Sequence, residues 1–160
     1  MTEAQALALL QEIPDPEIPV ISIVELGVIR KITVSGSVAD VTITPTYSGC
    51  PAMKQMEDDV RSTLLKNGAS QVNIKMVYQP AWTTDWLSEE AKSKLQKYGI
   101  APPEESTSDK SFLTGKPKSI TCPHCKSKNT MQVSQFGSTA CKALYKCNEC
   151  LEAFDYFKCI

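Results

Sequence analysis

The segment TYSGCPAMKQMEDDV, residues 46–60, places one cysteine, Cys50, between a glycine and a proline where a helix is predicted to begin. After Pro51, apolar residues recur at spacings of three and four, which is typical of a helix with one buried face. These residues are Met53, Met56, Val60 and Leu64. Proline suits the first helical position because the N–H that it lacks would have no intrahelical partner there. The pattern therefore predicts a helix that begins at Pro51, with Cys50 at or near its N-cap, and ends at Asn67-Gly68.

This position gives Cys50 two interpretations. The free backbone N–H groups and the macrodipole at a helix N-terminus stabilise a thiolate, the form that attacks electrophiles and binds metals. Alternatively, cysteine is a small residue that packs well in a tight corner between a strand and a helix. The segment alone does not choose between a reactive thiol and a buried filler.

The neighbouring segments predict further helices and strands. Residues 27–36 and 38–46 indicate a β-hairpin, and residues 71–78 alternate between apolar and polar as a half-buried strand does. Residues 2–12 carry one apolar helical face, and residues 88–99 form a polar closing helix with acids first and lysines later. This order in a short chain predicts an α+β fold, a small two-layer αββαβα domain.

Cysteine is distributed unevenly along the 160 residues. Residues 1–100 hold one cysteine and residues 118–160 hold six, so the two ends are expected to be stabilised in different ways. A stretch rich in Pro, Ser and Thr separates them. We therefore predict a folded domain over 1–100, a linker over 101–117 and a cysteine-rich tail over 118–160.

The tail contains two Cys-x-x-Cys pairs, CPHC at 122–125 and CNEC at 147–150, separated by 21 residues. Two matched pairs are typical of a zinc ribbon, although this separation is one residue beyond the usual window. We predict a closed, structural zinc site, because four thiolates suit a tetrahedral ion that replaces a core too small to form. The predicted ligands are Cys122, Cys125, Cys147 and Cys150. His124 is expected at the surface, since four cysteines complete the shell.

Two cysteines of the tail remain outside these pairs, Cys141 and Cys159. They are either small buried residues of the ribbon or extra thiol ligands for iron or a cluster in transit. A variant that lacks both thiols, keeps its zinc and loses function would favour the second interpretation.

Two loops of the first domain carry unusual residues. Asp15 and Glu17 lie in the proline-stiffened DPEIPV, where carboxylates can bind a metal or hold a partner, although simple helix-stop chemistry is the alternative. Trp82 and Trp86 lie in QPAWTTDWLSEE. Tryptophan is enriched at interface hot spots and is also core material, so both are candidate partner contacts and we expect one to be core.

Composition excludes several functions. The net charge of −1 argues against nucleic acid as the main partner. No segment approaches the ~20 apolar residues that span a bilayer, and the acidic N-terminus does not resemble a signal peptide, so we expect a cytoplasmic protein without a membrane partner. Thiols stay reduced there, which favours metal or redox chemistry. We do not expect an enzyme, because the only histidine lies in the tail and no base is evident beside Cys50.

Six segments together resemble the PaaD family of accessory proteins, which are encoded with the phenylacetyl-CoA epoxidase of aerobic phenylacetate degradation. They are DPEIPVISIVELGVI, TPTYSGCPAM, YQPAWTTDWLSEEAKSKLQKYGIAPP, CPHC, FGSTACKALYKCNEC and FDYFKC. Residues 1–100 alone resemble the broader SufT-like iron–sulfur assembly domain, whereas the tryptophan loop and the ribbon resemble the PaaD family specifically.

The resemblance implies a SufT-type αβ domain and a role in maturing the epoxidase by insertion of iron or an iron–sulfur cluster. By position, Asp15, Glu17 and Cys50 match the family's motif residues and would hold iron or a cluster transiently, while the four paired cysteines match its zinc knuckles. The epoxidase system has a carboxylate-bridged di-iron oxygenase and a reductase with a two-iron two-sulfur cluster. Kinship with assembly domains favours the reductase as recipient and leaves the oxygenase as the second candidate.

The alternative function is a non-catalytic adaptor that holds epoxidase subunits together through its tryptophans and ribbon. A Cys50→Ser change separates the two, because an adaptor tolerates it and a metal carrier does not. The sequence leaves the oligomeric state open.

Overall fold

The computed structural model describes residues 1–104 and 118–158. The chain divides into two compact units, Met1–Trp82 and Thr83–Ile160. The first unit contains α1 (Glu3–Gln11), β1 (Ile29–Ser35), β2 (Val38–Ile43), α2 (Ala52–Lys66) and β3 (Gln71–Met76). The second contains a 3₁₀ turn (Thr84–Trp86), α3 (Glu89–Tyr98), β4 (Ile100–Ala101), β5 (Thr130–Ser134), β6 (Lys142–Cys147) and β7 (Ala153–Phe157). Helices and sheets are thus combined, which confirms the predicted α+β class.

The first unit is built on a three-stranded sheet in the order β1–β2–β3. β1 and β2 pair antiparallel with Ser35 opposite Val38, and Gly36 turns the chain between them with a φ of +61°. That φ is the left-handed conformation that glycine adopts without a steric penalty. β2 and β3 run parallel, so α2 forms the crossover between them. The predicted hairpin and the strand that follows α2 are confirmed.

Both helices of the first unit bury one face. The side chains of Thr2 and Gln5 each accept a hydrogen bond from the other's backbone N–H, which forms a capping box at the start of α1. The same helix buries Leu10 completely. α2 begins directly after Pro51 and buries the predicted stripe along with Ala52. The half-buried strand predicted over residues 71–78 is shorter than expected. β3 stops at Met76, and Tyr78 is 57% exposed.

The loops that carry the predicted site residues meet at one end of this sheet. The loop from Pro14 closes on itself through a bridge to Ser22, and its chain then leads to Val28 at the start of β1. The carbonyl of Val28 accepts a hydrogen bond of 2.9 Å from the N–H of Thr44, the first residue after β2. The chain runs on from Thr44 to Cys50, so both loops begin from neighbouring backbone positions.

The second unit contains a four-stranded sheet in the order β4–β7–β6–β5. β5, β6 and β7 are antiparallel, whereas β4 pairs parallel with β7. Its small core includes Ile120, Tyr145 and Phe154, and the two rings stack with centroids 5.9 Å apart. None of the helices in the described residues is long and apolar enough to cross a membrane.

The last predicted helix of the first domain belongs to the second unit. α3 leads directly into β4, whose Ile100 and Ala101 pair with Asp155 and Tyr156 of β7. The chain therefore divides after Trp82, whereas the sequence predicted a boundary near residue 100. The difference arises because α3 joins the second unit through β4, and a strand of two residues leaves no local pattern in the sequence. Most of the predicted linker, residues 105–117, lies outside the described residues.

Candidate functional site

Cys50 closes the loop between β2 and α2. It is 9% exposed, and its carbonyl accepts a hydrogen bond from the N–H of Met53 at 3.3 Å. Gly49 precedes it with a φ of +79°, and Pro51 caps the helix that follows. The thiol therefore lies immediately before the N-cap, next to the position expected from the sequence.

The electrostatics of Cys50 differ from the expectation of a stabilised thiolate. Burial raises the pKa of the Cys50 thiol above its ordinary value, and the carboxylates of Glu17 and Asp15 raise the pKa further. Hydrogen bonds from the side chain of Tyr47 and the backbone of Ala52 lower the pKa, as a helix N-terminus should, but they do not overcome burial. The thiol is consequently protonated at neutral pH, and a bound cation would be needed to displace the proton.

The two acids predicted from the sequence act on Cys50 from a separate loop. Asp15 is 3% exposed, and its Oδ1 accepts hydrogen bonds from the N–H groups of Glu17 at 2.9 Å and Ile18 at 2.7 Å. Glu17 is half-buried. Both carboxylates raise the pKa of Cys50, so they act on the thiol electrostatically. Among the described residues, however, only the four paired cysteines of the tail bring their donor atoms close enough together to hold a metal ion. Asp15 also fixes its own loop, which is the role that the alternative interpretation of helix-stop chemistry predicted.

Sequence reasoning missed two residues in the segment that leads from β2 to Cys50. Thr44 is 1% exposed, and its Oγ1 has no hydrogen-bond partner among the described residues, which is uncommon for a buried hydroxyl. Tyr47 forms a side-chain hydrogen bond with Cys50. A threonine after a strand and a tyrosine in a loop are common in any sequence, so no sequence pattern indicates these two residues and only the folded structure reveals their contacts.

The two tryptophans have different environments. Trp82 is 4% exposed, and its Nε1 donates a hydrogen bond of 2.8 Å to the carbonyl of Leu26. It is therefore a core residue of the first unit, as was expected of one of the two tryptophans. Trp86 is half-buried in the 3₁₀ turn of the second unit, where the contact prediction remains open.

The four paired cysteines of the tail converge. Their sulfur atoms all lie within 4.8 Å of one another. The Sγ atoms of Cys122 and Cys150 are 3.7 Å apart, and those of Cys125 and Cys147 are 3.5 Å apart. A tetrahedral zinc ion with Zn–S bonds of ~2.3 Å separates its sulfurs by about 3.8 Å. The arrangement therefore fits one tetrahedral ion.

The backbone forms the same turn at both pairs. The N–H of Cys122 donates to the carbonyl of Ser127, and that of Cys147 donates to the carbonyl of Glu152, both at 2.9 Å. The residue after each second cysteine has a φ of +66°; these residues are Lys126 and Leu151. Two equivalent turns that each present two sulfurs make a preformed four-sulfur site.

The thiols of this cluster have opposed pKa shifts. A backbone N–H of Cys150 is the main cause that lowers the pKa of Cys147 to about 7. A backbone N–H of Glu152 lowers the pKa of Cys150, but burial and the neighbouring sulfurs outweigh it and raise that pKa to about 12. Four sulfurs this close do not ionise together without a cation among them.

The remaining predicted residues of the tail lie outside this cluster. Cys141 is buried, and its sulfur contacts the Oγ1 of Thr139 at 3.1 Å. It is not part of the four-sulfur group. Its role as an extra thiol ligand for iron or a cluster in transit stays a prediction. Cys159 lies outside the described residues. His124 is exposed and its ring packs against Gly99, where an added Cβ would lie 3.3 Å from Cε1.

Comparisons with known proteins agree with the two-part architecture. Residues 3–76 match the family described as "Iron-sulfur cluster assembly protein". Residues 106–158 match the "PaaD zinc beta ribbon domain". An Escherichia coli K12 protein named as a component of 1,2-phenylacetyl-CoA epoxidase is 47% identical over 153 residues, which cover 96% of this chain and 90% of that protein. The chain belongs to the PaaD family.

The first unit also has relatives outside the PaaD family. The Fe-S protein maturation auxiliary factor SufT of Staphylococcus aureus is 37% identical over 51% of this chain and 93% of its own length. A crystal structure of a DUF59 domain from Bacillus anthracis superposes with a TM-score of 0.55 at 31% identity, over 58% of this chain and 90% of that one. The PaaD family thus combines an assembly-type domain with a ribbon.

Proposed function

We propose that this protein matures the phenylacetyl-CoA epoxidase by inserting iron or an iron–sulfur cluster into one of its components. The observation that carries the proposal is the joint action of Glu17 and Asp15 on the buried thiol of Cys50. Relatives named as Fe-S maturation auxiliary factors share the first unit, and a relative named as an epoxidase component shares nearly the whole chain. Together these favour a carrier that acts within the epoxidase system.

The chemistry of the Cys50 site suits temporary binding. The raised pKa keeps the empty site protonated, and an arriving cation exchanges with that proton. One thiol and two carboxylates offer fewer ligands than four thiolates, and their donor atoms are not gathered into one group among the described residues, so the cargo leaves more easily than it would from the ribbon. Asp15, Glu17 and Cys50 are therefore the residues proposed to bind the cargo.

The resident metal of the ribbon is proposed to be zinc. The ligands would be Cys122, Cys125, Cys147 and Cys150, whose separations fit a tetrahedral ion. The ion would stabilise a unit whose apolar core is small. The ribbon is thus assigned a structural role, and the proposed partners are the cytoplasmic epoxidase components, with the reductase favoured by kinship to cluster-assembly domains.

An adaptor function is the second candidate. Trp86 is half-buried on the second unit, and tryptophans in this state are frequent anchors at interfaces. An adaptor would hold epoxidase subunits together without using the thiol of Cys50.

Complementation separates these functions. Cells that lack the protein receive the wild type, Cys50→Ser, or the control Cys141→Ser, which also removes a buried thiol. We expect Cys50→Ser to bind the epoxidase components normally but to leave the cells unable to grow on phenylacetate. Normal growth with Cys50→Ser would contradict the carrier function, and loss of growth with Trp86→Ala together with loss of subunit association would support the adaptor.

A further inference from the structure

We propose that the edge strand β5 of the ribbon binds an extended, acidic segment of an epoxidase component, which joins the sheet as an added strand. This assigns an interaction role to a unit whose metal site has a structural role. It rests on the proposed function only for the identity of the partner. The reasons are the direction of the backbone groups of β5, the exposed apolar side chains that it carries and the lysines beside them.

β5 directs backbone groups towards the open side of its sheet. The strand lies at one edge of the four-stranded sheet. Its neighbour β6 ends at Cys147, which lies opposite Thr130 and donates its N–H to the carbonyl of Glu152 on the β7 side. Opposite residues of an antiparallel pair bond to each other through both backbone groups or through neither, so Thr130 points away from β6. Gln132, two residues later, therefore also turns its N–H and C=O away from β6.

The other strands at sheet edges differ from β5 in charge or length. β1 has the exposed Lys31, β3 has the exposed Lys75, and β4 consists of only two buried residues. Charged side chains and a short length both hinder the addition of a further strand. Residues 129–141, which include β5, contain no charged residue. β5 is thus the edge that is best suited to pair with another chain.

The side chains of β5 form an exposed apolar patch, which comprises Met131, Val133 and Phe136. They are 51%, 55% and 54% exposed. The intervening face of the strand is turned inward, because the Oγ1 of Thr130 bonds to the backbone N–H and carbonyl of Ile120 in the core. Exposed apolar side chains gathered on one short segment are typical of a contact surface. In strand addition, such side chains give specificity while the backbone bonds give affinity.

The charges beside this patch favour an acidic segment. Lys146 is exposed and lies directly opposite Met131 in the register of β5 and β6. Opposite residues share one face of a sheet, so a segment that covers Met131 also meets Lys146. Lys158 holds its Nζ 4.3 Å from the centre of the Phe136 ring. Two positive charges at an uncharged strand are complementary to carboxylates on the added strand.

A second copy of this chain fits the edge less well. Its own β5 lies in the uncharged stretch 129–141 and would bring no carboxylate to Lys146. The register of β5 and β6 also shifts after Gln132, so the pairing is regular only over 130–132. A bulge of this kind bends the strand and ends its pairing, which suits a short segment better than two whole sheets side by side. The occupant is therefore a segment of another protein.

The test measures binding of each purified epoxidase component to the zinc-loaded, full-length protein by isothermal titration calorimetry. Met131→Lys and Val133→Lys place a charge on the patch, and Leu65→Lys is their control because it charges an exposed apolar position of the first unit. Lys146→Glu reverses the charge beside the patch, and Lys75→Glu is its control at an exposed lysine of β3. The zinc content of every variant is measured to verify the ribbon.

One component is expected to bind the wild type and both controls equally, and to bind the three patch variants at least about tenfold more weakly, since hot-spot residues commonly contribute this much. Binding should also weaken as the salt concentration rises, because Lys146 is exposed. In the wild-type complex, hydrogen exchange of the Gln132 amide, followed by NMR, should slow as its N–H becomes bonded. That measurement needs no substitution and so does not depend on how the variants fold.

Other results would overturn the proposal in distinguishable ways. Unchanged binding in all three patch variants, with unchanged exchange at Gln132, would remove the docking site and leave the maturation function intact. A wild type that forms dimers by itself and becomes monomeric as Val133→Lys would assign β5 to a second copy. If no epoxidase component binds the wild type, the docking proposal fails together with the partners proposed for maturation.

Discussion

Asp15 is predicted to support the fold and the site through different atoms, and two substitutions separate these roles. Asp15→Ala removes the acceptor for two backbone N–H groups, those of Glu17 and Ile18. A hydrogen bond to a charged group contributes about 1.5–3 kcal/mol. Ile18 is 1% exposed, so water does not replace its bond, whereas Glu17 is half-buried and its N–H is partly rehydrated. We therefore expect the free energy of unfolding to fall by about 2–4 kcal/mol.

Asp15→Asn keeps an oxygen at the same position and removes only the charge. Neutral hydrogen bonds contribute about 0.5–1.5 kcal/mol each, so we expect a loss of only about 1–2 kcal/mol. Both variants lose the negative charge that acts on Cys50, and both should bind iron more weakly.

The assay is urea unfolding of zinc-loaded protein, followed by the fluorescence of Trp82, which is buried in the first unit. Trp86→Phe is introduced into every variant to remove the second fluorophore. A loss of stability in Asp15→Asn as large as that in Asp15→Ala would refute the reasoning, and so would a loss below about 0.5 kcal/mol in Asp15→Ala.

Three further predictions follow from particular contacts. The alkylation rate of Cys50 in metal-free protein should still rise with pH where the rate of an ordinary cysteine has levelled off, because burial raises the pKa of its thiol. Tyr47→Phe should slow alkylation at a fixed pH, because the hydrogen bond from Tyr47 lowers that pKa and its removal raises it; a faster rate would contradict this. Trp82→Phe should lower the free energy of unfolding by about 1–3 kcal/mol through the unpaired carbonyl of Leu26, and an unchanged urea midpoint would contradict it. Leu151→Gly should raise the stability of the zinc-loaded ribbon by about 0.5–1 kcal/mol, because its φ of +66° strains a side chain, and a lower melting temperature would contradict this.

The sequence predicted the elements whose pattern is local. The stripe of α2, the hairpin and the strand after α2 follow from periodicity over a few residues, and the structure has all three. The paired cysteines were also predictable, because their spacing alone indicates a four-sulfur site, and the sulfurs do converge. In these cases the information lies within one short segment.

The remaining features depend on contacts between distant segments. The net pKa of Cys50 depends on burial and on a loop more than 30 residues earlier, so the local effect of the helix N-terminus gave the wrong direction. The place of α3 depends on two residues of β4 that pair with β7. No sequence pattern distinguishes Thr44 or Tyr47. Only the fold shows that the hydroxyl of Thr44 is buried without a hydrogen-bond partner among the described residues and that Tyr47 bonds to Cys50.

The central claim is tested most directly by the metal content of the epoxidase components. The components are purified from cells that produce the wild-type protein, Cys50→Ser, Cys141→Ser or none, and their iron and sulfide are measured along with the zinc of this protein. The account predicts that Cys50→Ser keeps its zinc while an epoxidase component loses iron as completely as it does without the protein, and that Cys141→Ser has no effect. Full iron content in every component with Cys50→Ser would contradict the account.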